Sequence, residues 1–296
     1  MATEAVAEKR SAGHRLADLF QRRPRLQVGA LLAGPVGWLV IGYLGSLAVL
    51  LIAAFWTVNP LSGEIVRGLS FENVQTLFDE PVYRDIAVRT VMVAALVTVT
   101  DAVLAFPIAF YMAKLASRRG KAILIVAVLL PLWSSYLVKV YSWRTMLSTN
   151  GVVNWALEPF GLHGPGFGNV AVWLVMSYLW LPYMILPIYA GLERIPNSLI
   201  SASEDLGASP FTTFRRVILP LAFPAVVAGS IFTFSLTLGD FIAPSLVGGG
   251  EQFIGTVVFS SIATNLPLAA AFVTVPIAVM IVYLIGARRL GAFEHV

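Results

Sequence analysis

Long apolar stretches, each carrying few charges, constrain this chain more than any other feature of its sequence. Six of them approach the length of about 20 residues that a helix needs to cross the hydrocarbon core of a membrane. They cover residues 28–56, 87–113, 122–138, 170–192, 221–244 and 266–287. The third is the weakest, because it contains Pro131 and ends in the polar aromatic stretch SSYLVKVYSW. The sequence therefore predicts an all-α polytopic membrane protein with six transmembrane helices.

The composition agrees with lipid as the solvent. Hydrophobic residues make up 58% of the chain and charged residues only 12%, whereas about a quarter of a soluble domain is charged. The chain has no cysteine, which excludes disulfides and thiolate metal sites, and its three histidines lie far apart. No nucleophile–base constellation, dinucleotide fingerprint or nucleic-acid motif is present. We therefore expect no metal, no cofactor, no enzymatic activity and no nucleic-acid binding on this chain.

The basic residues predict the orientation of the helices. With the N-terminus inside, 15 of the 20 Lys and Arg residues lie in the inside connections. Because short cytoplasmic loops carry an excess of Lys and Arg, both termini are predicted to be cytoplasmic. The chain then divides into a cytoplasmic segment 1–27, a first helix 28–57, an extracytoplasmic loop 58–86, a transmembrane core 87–288 and a cytoplasmic tail 289–296. No small-residue cleavage site follows the basic segment, so we expect no signal peptide.

The loop 58–86 is acidic. It contains Glu64, Glu72, Asp79, Glu80 and Asp85 against Arg67 and Arg84. The acidic excess is typical of a solvated loop, and it also fits a surface that docks a basic or cation-loaded partner.

A polar hinge loop, residues 193–220, separates the fourth and fifth apolar stretches. Asn197 or Ser198 can cap a helix that begins after a proline. Gly207 stands where a glycine in the left-handed conformation ends a helix. The helix between them places Leu199, Ala202 and Leu206 on one face. The loop therefore begins with a short amphipathic helix.

A second helix is predicted to start at Pro210, directly after Ser209. A capping residue followed by proline at the first helical position is a strong start signal. The apolar side of this helix comprises Phe211, Phe214 and Ile218. Two short helices joined at Gly207 suit a cytoplasmic partner protein, and the pattern also fits an interfacial helix lying on lipid.

The hinge loop resembles the cytoplasmic loop of ABC importer permeases. The motif of that family is Glu-Ala-Ala, three residues, Gly, nine residues and Ile-x-Leu-Pro. Here Gly207 is followed by nine residues and then by the stretch VILP. Ser201 stands at the position of the family glutamate, which removes one expected contact but leaves the helix–glycine–helix spacing intact.

This resemblance implies the type I ABC importer permease fold and a passive gate that a separate ATPase drives. The ATP and Mg would bind that ATPase, since the pair Gly120–Lys121 lacks the glycine and Ser or Thr of a P-loop. The implied partners are a second permease subunit, two ATPase subunits and an extracellular or periplasmic binding protein, with a homodimer of this chain as the alternative to a heterodimer. The implied ATPase contacts are Ser201, Ala202, Ser203, Glu204, Asp205, Leu206, Gly207, Ala208, Ser209 and Pro210. The implied location is the inner or plasma membrane of a prokaryote.

Further stretches resemble the spermidine/putrescine importer permeases, in particular the first of the two permease subunits of that system. They are LAFPIAFYMAKL, LPLWSSYLVKVYSWRTML, NGVVN and LTLGDFIAPSLVGG. The resemblance implies transport of a small cationic solute such as a polyamine. The same importer class also carries iron, thiamine, phosphonate or amino-acid derivatives. Two further hypotheses are an ion-coupled secondary transporter, which needs paired broken helices, and a scaffold that does not transport.

Two carboxylates lie inside predicted helices, Asp101 near the middle of the second and Asp240 in the outer part of the fifth. Because a charge at the membrane centre costs about 2.5–3.5 kcal/mol on insertion scales, such residues usually face a pathway or a bundle interior. Asp240 can meet a cationic substrate, or it can make a helix-packing hydrogen bond or pair with Lys139 or Arg144. Asp101 has the same alternatives. The Trp and Tyr residues of 133–143 and 173–189, including Tyr141 and Trp143, can stack on alkylammonium groups, or they can serve as interfacial anchors or packing residues.

Overall fold

The computed structural model describes residues 24–289 of the chain. These residues are mostly helical and form two compact units, whose described parts are residues 24–53 and 54–289. Most of the predicted cytoplasmic segment 1–27 and tail 289–296 lies outside the described residues. The predicted domain boundaries and the cytoplasmic location of both termini therefore stay predictions.

The first unit is a single helical segment with an apolar surface. Helix α1 (Pro24–Trp38) passes through a π-helical turn (Leu39–Leu44) into α2 (Gly45–Ala53). Large apolar side chains such as Trp38 and Ile41 are exposed. Residues 26–53 of this segment carry no charge, and a helix that presents apolar side chains outward is unsuited to water and suits hydrocarbon.

The described part of the second unit contains a short hairpin, twelve α-helices and a 3₁₀-helix, Glu158–Phe160. The hairpin strands are β1 (Thr57–Val58) and β2 (Ile65–Val66), and the helices are α3 (Glu72–Asp79), α4 (Pro81–Phe110), α5 (Arg118–Trp133), α6 (Tyr136–Leu147), α7 (Val152–Leu157), α8 (Asn169–Arg194), α9 (Asn197–Asp205), α10 (Pro210–Thr213), α11 (Leu219–Gly239), α12 (Ile242–Val247), α13 (Ile254–Ser261) and α14 (Leu266–Arg289). Two π-helical turns, Tyr111–Leu115 after α4 and Phe214–Ile218 after α10, extend neighbouring helices.

The predicted acidic loop has more structure than its composition indicates. Strands β1 and β2 pair antiparallel, with Thr57 opposite Val66. Asn73, in α3, is buried and donates hydrogen bonds of 2.7 and 3.1 Å to two backbone carbonyls just before β1. A buried amide that satisfies backbone acceptors fixes the helix against the hairpin.

Helices α4, α8 and α11 pack against one another most extensively and form the centre of this unit. Two glycines permit the close approach of α8 and α11. A Cβ added at Gly191 lies 2.3 Å from the Cβ of Ala225, and one added at Gly229 lies 2.7 Å from the Sδ of Met184. Small residues at such crossings let membrane helices gain van der Waals contact without a hydrophobic driving force.

The predicted third span, 122–138, is not one straight helix. Helices α5 and α6 meet at an angle of 90° at the break formed by Ser134 and Ser135. The carbonyl of Pro131 accepts hydrogen bonds from Ser134 Oγ at 2.9 Å and from Lys139 Nζ at 3.1 Å. The side chains thus satisfy a backbone acceptor near the bend, as the hydrocarbon environment requires. Over the described residues, five helices are long and apolar enough to span a membrane, and a sixth span exists if this bent pair is counted as one.

The helix that contains most of the predicted fifth span, 221–244, begins before residue 221 and ends before residue 244. Helix α10 continues through its π-helical turn into α11, so that one helical segment runs from Pro210 to Gly239. The second helix of the hinge loop is therefore continuous with α11 and not a separate element. Pro220 has no N–H for the carbonyl four residues before it, which accounts for the π-helical turn there. At the other end, Asp240 stops α11 and starts α12.

The hinge loop and the carboxylate–aromatic cluster

The joint of the hinge loop is a glycine in the left-handed conformation. Gly207 has a φ of 80° and follows α9 directly. Its N–H donates to the carbonyl of Glu204 at 2.8 Å, and the N–H of Ala208 donates to the carbonyl of Ser203 at 3.1 Å. These two bonds form a Schellman motif, which satisfies the last carbonyls of a helix. The predicted helix end at Gly207 is confirmed.

Of the two helix starts predicted in the hinge loop, that of α10 is confirmed and the side-chain cap of α9 is wrong. Ser209 Oγ accepts a hydrogen bond from the N–H of Thr212 at 3.3 Å, and Pro210 is the first helical residue, as predicted. The predicted cap of α9 does not form, because Pro196 precedes the helix and Asn197 is already helical. The Asn197 Oδ1 instead accepts a hydrogen bond from Lys114 Nζ at 3.2 Å.

The inner side of the hinge loop is fixed to the protein. The hydroxyls of Ser203 and Thr213 lie 2.7 Å apart and link the two helices of the loop, and Thr213 is buried. Phe214 packs edge-on against Phe106 of α4 with ring centroids 5.5 Å apart. Ile218 is buried in a cluster with residues of α4 and α8. The loop is therefore anchored on one side only.

The outer side of the hinge loop carries apolar side chains without cover. Leu206 is 88% exposed and Phe211 is 70% exposed, and the predicted face that includes Leu199 is exposed as well. Glu204 and Asp205 are exposed beside them. An exposed apolar patch rimmed by charges is typical of a protein interaction surface. Phe211 was predicted to share a face with Phe214 and Ile218, but only the latter two pack inward.

Asp240 lies in what we call the carboxylate–aromatic cluster, defined as Asp240, Tyr136, Trp180 and Tyr183. The Tyr136 hydroxyl donates to Asp240 Oδ2. Asp240 Oδ1 accepts hydrogen bonds from the backbone N–H groups of Ile242 at 2.8 Å and Ala243 at 3.3 Å, and so caps α12. Of the alternatives for this carboxylate, the structure thus contains the helix-packing hydrogen bonds.

The aromatic rings of the cluster stack next to this carboxylate. Tyr136 stacks on Trp180 with ring centroids 5.9 Å apart, and Trp180 meets Tyr183 at the same distance. Trp143 contacts Tyr178 at 5.5 Å in a neighbouring pair, while Tyr141 is exposed on α6. The predicted residue Trp143 therefore lies in an aromatic contact between α6 and α8, and Asp240, at the end of α11, bonds to Tyr136 of α6. Tyr136 and Trp180 belong to the aromatic stretches 133–143 and 173–189 that were named from the sequence, but no local pattern set them apart from the other aromatic residues there.

Asp101 is not part of the carboxylate–aromatic cluster. It is fully buried in α4, with Ser177 of α8 beside its carboxyl group. Among the described residues, neither of its oxygens has a hydrogen bond of normal geometry. The structure therefore encloses Asp101 between helices, whereas the aromatic ring of Tyr183 is accessible.

The comparisons with known proteins identify a family of membrane transport proteins. Residues 87–292 match the family described as binding-protein-dependent transport system inner membrane component. The chain is 45% identical to the inner membrane ABC transporter permease protein YdcU of Escherichia coli K12, over 95% of each protein. It is 30% identical to the spermidine/putrescine transport system permease protein PotB of Haemophilus influenzae, over 84% of this chain and 88% of PotB.

A solved structure shares the fold at low identity. It is a bacterial alginate ABC transporter in complex with an alginate pentasaccharide-bound periplasmic protein, with a TM-score of 0.71 over 93% of this chain and 96% of the matched chain, at 17% identity. The chain thus has the type I ABC importer permease fold. From family and fold together, the chain belongs to the binding-protein-dependent transport system inner membrane components and is the permease subunit of an ABC importer, a multi-pass inner-membrane transport protein and not an enzyme.

Proposed function

We propose that this subunit forms half of a translocation pathway for a small organic cation, with polyamines such as spermidine and putrescine as the substrate class. The observation that carries the proposal is a carboxylate, Asp240, held beside stacked aromatic rings between α6 and α8. The name of the PotB relative supports the substrate class. The YdcU relative has higher identity, and its printed name gives no substrate.

The chemistry of the cluster suits an alkylammonium group. A carboxylate offers about four acceptor positions, and Tyr136 and two backbone N–H groups use three of them. One position is left for an ammonium donor. Faces of Trp and Tyr attract cations within about 6 Å, and Tyr183 presents a partly exposed ring next to Trp180.

The broken helix supports a pathway at this place. Tyr136 is the first residue of α6, directly after the break at Ser134 and Ser135. Irregular backbone at membrane depth is tolerated where it lines a cavity or is buried in protein. We therefore propose that the α5–α6 bend faces the pathway.

We also propose that the hinge loop binds a separate ATPase, which holds the ATP and Mg. The residues proposed for this contact are the exposed tip, 201–210, centred on Leu206 and Gly207. The apolar side chains at the tip provide binding surface, and the inner side of the loop conveys its movement to α4 and α8. The count of 15 inside against five outside basic residues supports a cytoplasmic loop and cytoplasmic termini.

The proposed assembly contains a second permease subunit, two ATPase subunits and an extracytoplasmic binding protein. The decisive experiment purifies this complex, reconstitutes it in lipid and measures ATP hydrolysis and uptake with each candidate solute. We expect stimulation by spermidine or putrescine and none by thiamine, phosphonate, ferric iron or amino acids. Stimulation only by one of those other solutes would refute the polyamine assignment, and failure to recruit any ATPase would refute the coupling role.

Asp240→Asn is the matched variant for the substrate assignment. The amide oxygen of Asn can still cap α12, so the fold is expected to persist, while the negative charge is lost. We expect the apparent affinity for a polyamine to fall about tenfold, the scale of a charge-assisted contact. Tyr136→Phe keeps the stacked ring and removes only the hydroxyl, so it separates the loss of the hydrogen bond from the loss of charge.

A further inference from the structure

Lys114 joins three helices at the inner side of the hinge loop. It lies in the π-helical turn Tyr111–Leu115 that ends the α4 segment, and its side chain is half-buried. Its Nζ donates to the carbonyl of Ile195 at 2.5 Å and to Oδ1 of Asn197 at 3.2 Å. Ile195 is the residue directly after α8, and Asn197 is the residue that begins α9. One ammonium group therefore holds the end of one helix and the start of the next.

The two acceptors of Lys114 lie on either side of the linker between α8 and α9. Pro196 separates them, with a φ of −64° and a ψ of 137°. Proline has a fixed φ and no N–H, so this linker cannot continue the α8 helix into α9. The carbonyl at the end of α8 also attracts a cation, because the C-terminus of a helix carries partial negative charge.

Beyond the Pro196 linker, the two helices of the hinge loop are bonded to each other. The Ser203–Thr213 hydroxyl contact ties α9 to α10. Ile195, Ile218 and Met112 are buried in one cluster that includes residues of α4, α8 and α11. A displacement of the loop is thereby shared with α8 through the chain itself, and with α4 through packing and through the Lys114 contacts.

We infer that Lys114 is a positioning residue that couples α4 to the hinge loop, so that movement of the loop by the ATPase moves α4 together with α8. The inference rests on the proposed coupling function and adds to it the residue that transmits the motion. The hydrogen-bond partners of Lys114, Ile195 and Asn197, lie outside the proposed ATPase contact 201–210 and outside the carboxylate–aromatic cluster. Its removal is expected to separate ATP hydrolysis from transport without abolishing either the assembly or the hydrolysis.

The test compares Lys114→Met with a matched control in the reconstituted complex. Lys121 of α5 makes an ion pair of 2.8 Å with Glu193 at the end of α8, and both side chains are partly exposed. Lys121→Met thus removes one lysine and one contact with α8 close to the Pro196 linker, but it keeps the Lys114 contact with the start of α9. We expect Lys114→Met to lower the solute transported per ATP by about tenfold, the scale of a lost hydrogen bond to a charged group, and Lys121→Met to leave the ratio within about twofold.

Two further variants keep the test decisive if Lys114→Met fails to assemble. Lys114→Arg retains donors for both acceptors and is expected to restore most of the ratio. Asn197→Ala removes one acceptor only and is expected to give a smaller loss than Lys114→Met. An unchanged ratio in both Asn197→Ala and Lys114→Met would overturn the inference. If Lys114→Met does not assemble, an unchanged ratio in Asn197→Ala alone would overturn it.

A distance measurement separates this inference from the proposed coupling itself. The chain has no cysteine, so spin labels can be placed at Ser201→Cys and Leu115→Cys, both exposed positions, without other changes. We expect a narrow distance distribution in the parent chain, a broadened one with Lys114→Met and a narrow one with Lys121→Met. If no ATPase binds the loop, the proposed function fails, but this distribution still shows whether Lys114 holds the α4 segment against α9. A narrow distribution with Lys114→Met overturns the inference.

Discussion

The hinge loop and the carboxylate–aromatic cluster are built from different kinds of contact. The bonds that shape the joint of the loop connect residues at most five positions apart, such as Ala208 with Ser203 and Thr212 with Ser209. The bond at the heart of the cluster connects Tyr136 with Asp240, 104 positions away. The loop keeps its local form wherever the helices stand, whereas the cluster exists only while α6, α8 and the end of α11 are together. This difference fits a loop that is moved as a body and a site that a helix rearrangement can open.

The largest expected effect breaks the loop at its joint. Gly207→Pro removes the N–H that bonds to Glu204 and requires a φ near −65° where the structure has 80°, at a local cost of about 3 kcal/mol or more. We expect transport to be lost while the spans remain inserted. Uptake by the reconstituted complex and protease accessibility of the loop measure the two effects.

Gly207→Asn is the control for this change. Asn tolerates the left-handed conformation and keeps the N–H, and nothing lies within 4 Å of an added Cβ. We expect this variant to transport at nearly the parent rate. Equal uptake by the Pro and parent forms would remove the role of the joint.

The next effect concerns the exposed side of the loop. Leu206→Asp places a charge where we propose an apolar contact, and we expect ATPase binding to weaken by about 2 kcal/mol, the scale of an interface hot spot. Because Leu206 is 88% exposed, the thermal unfolding midpoint of the isolated chain should not change. Titration of the ATPase against the lipid-reconstituted permease measures the first quantity. A lowered midpoint with unchanged ATPase binding would contradict the assignment.

A smaller effect sharpens the contrast with the cluster. Asp240→Ala removes both the cap of α12 and the partner of Tyr136, and we expect a stability loss of about 1–2 kcal/mol. Asp240→Asn should recover most of it, because its amide oxygen replaces the capping acceptor. Thermal unfolding in detergent of the two variants gives the comparison. Equal destabilisation by Ala and Asn would mean that the charge, and not the cap, holds the cluster together.

The smallest effect is expected at Ser201. Its side chain is exposed on α9, so Ser201→Glu should change stability by no more than about 0.5 kcal/mol. If the loop binds an ATPase, the added carboxylate is expected to strengthen that binding by up to about 1 kcal/mol, the range of an exposed ion pair. The affinity titration at two salt concentrations checks this, since a charge contact weakens with salt. A salt-independent change would point to packing instead.

The same contrast explains what could be predicted from the sequence. Gly207 predicted the helix end and Ser209 the helix start correctly, because the hydrogen bonds that form there join residues within about one helical turn. The apolar stretches predicted the fold class for an equally direct reason, the length a membrane requires. The predicted cap at Asn197 is wrong because Asn197 is already helical, and its side-chain oxygen instead accepts a hydrogen bond from Lys114, 83 positions away. Asp240, which follows the end of α11, likewise has a distant partner in Tyr136, 104 positions away, which no local pattern contains.

One helical segment runs without interruption from Pro210 to Gly239. At 1.5 Å per residue its 30 residues are about 45 Å long, and the hydrocarbon core is about 30 Å thick. This segment is a rod with the capped hinge loop at one end and Asp240 at the other. A tilt of about 10° around its midpoint displaces each end by about 4 Å, in opposite directions, a distance longer than any hydrogen bond. A push on the loop that tilts the rod is therefore large enough, without any change inside the rod, to disconnect Asp240 from Tyr136.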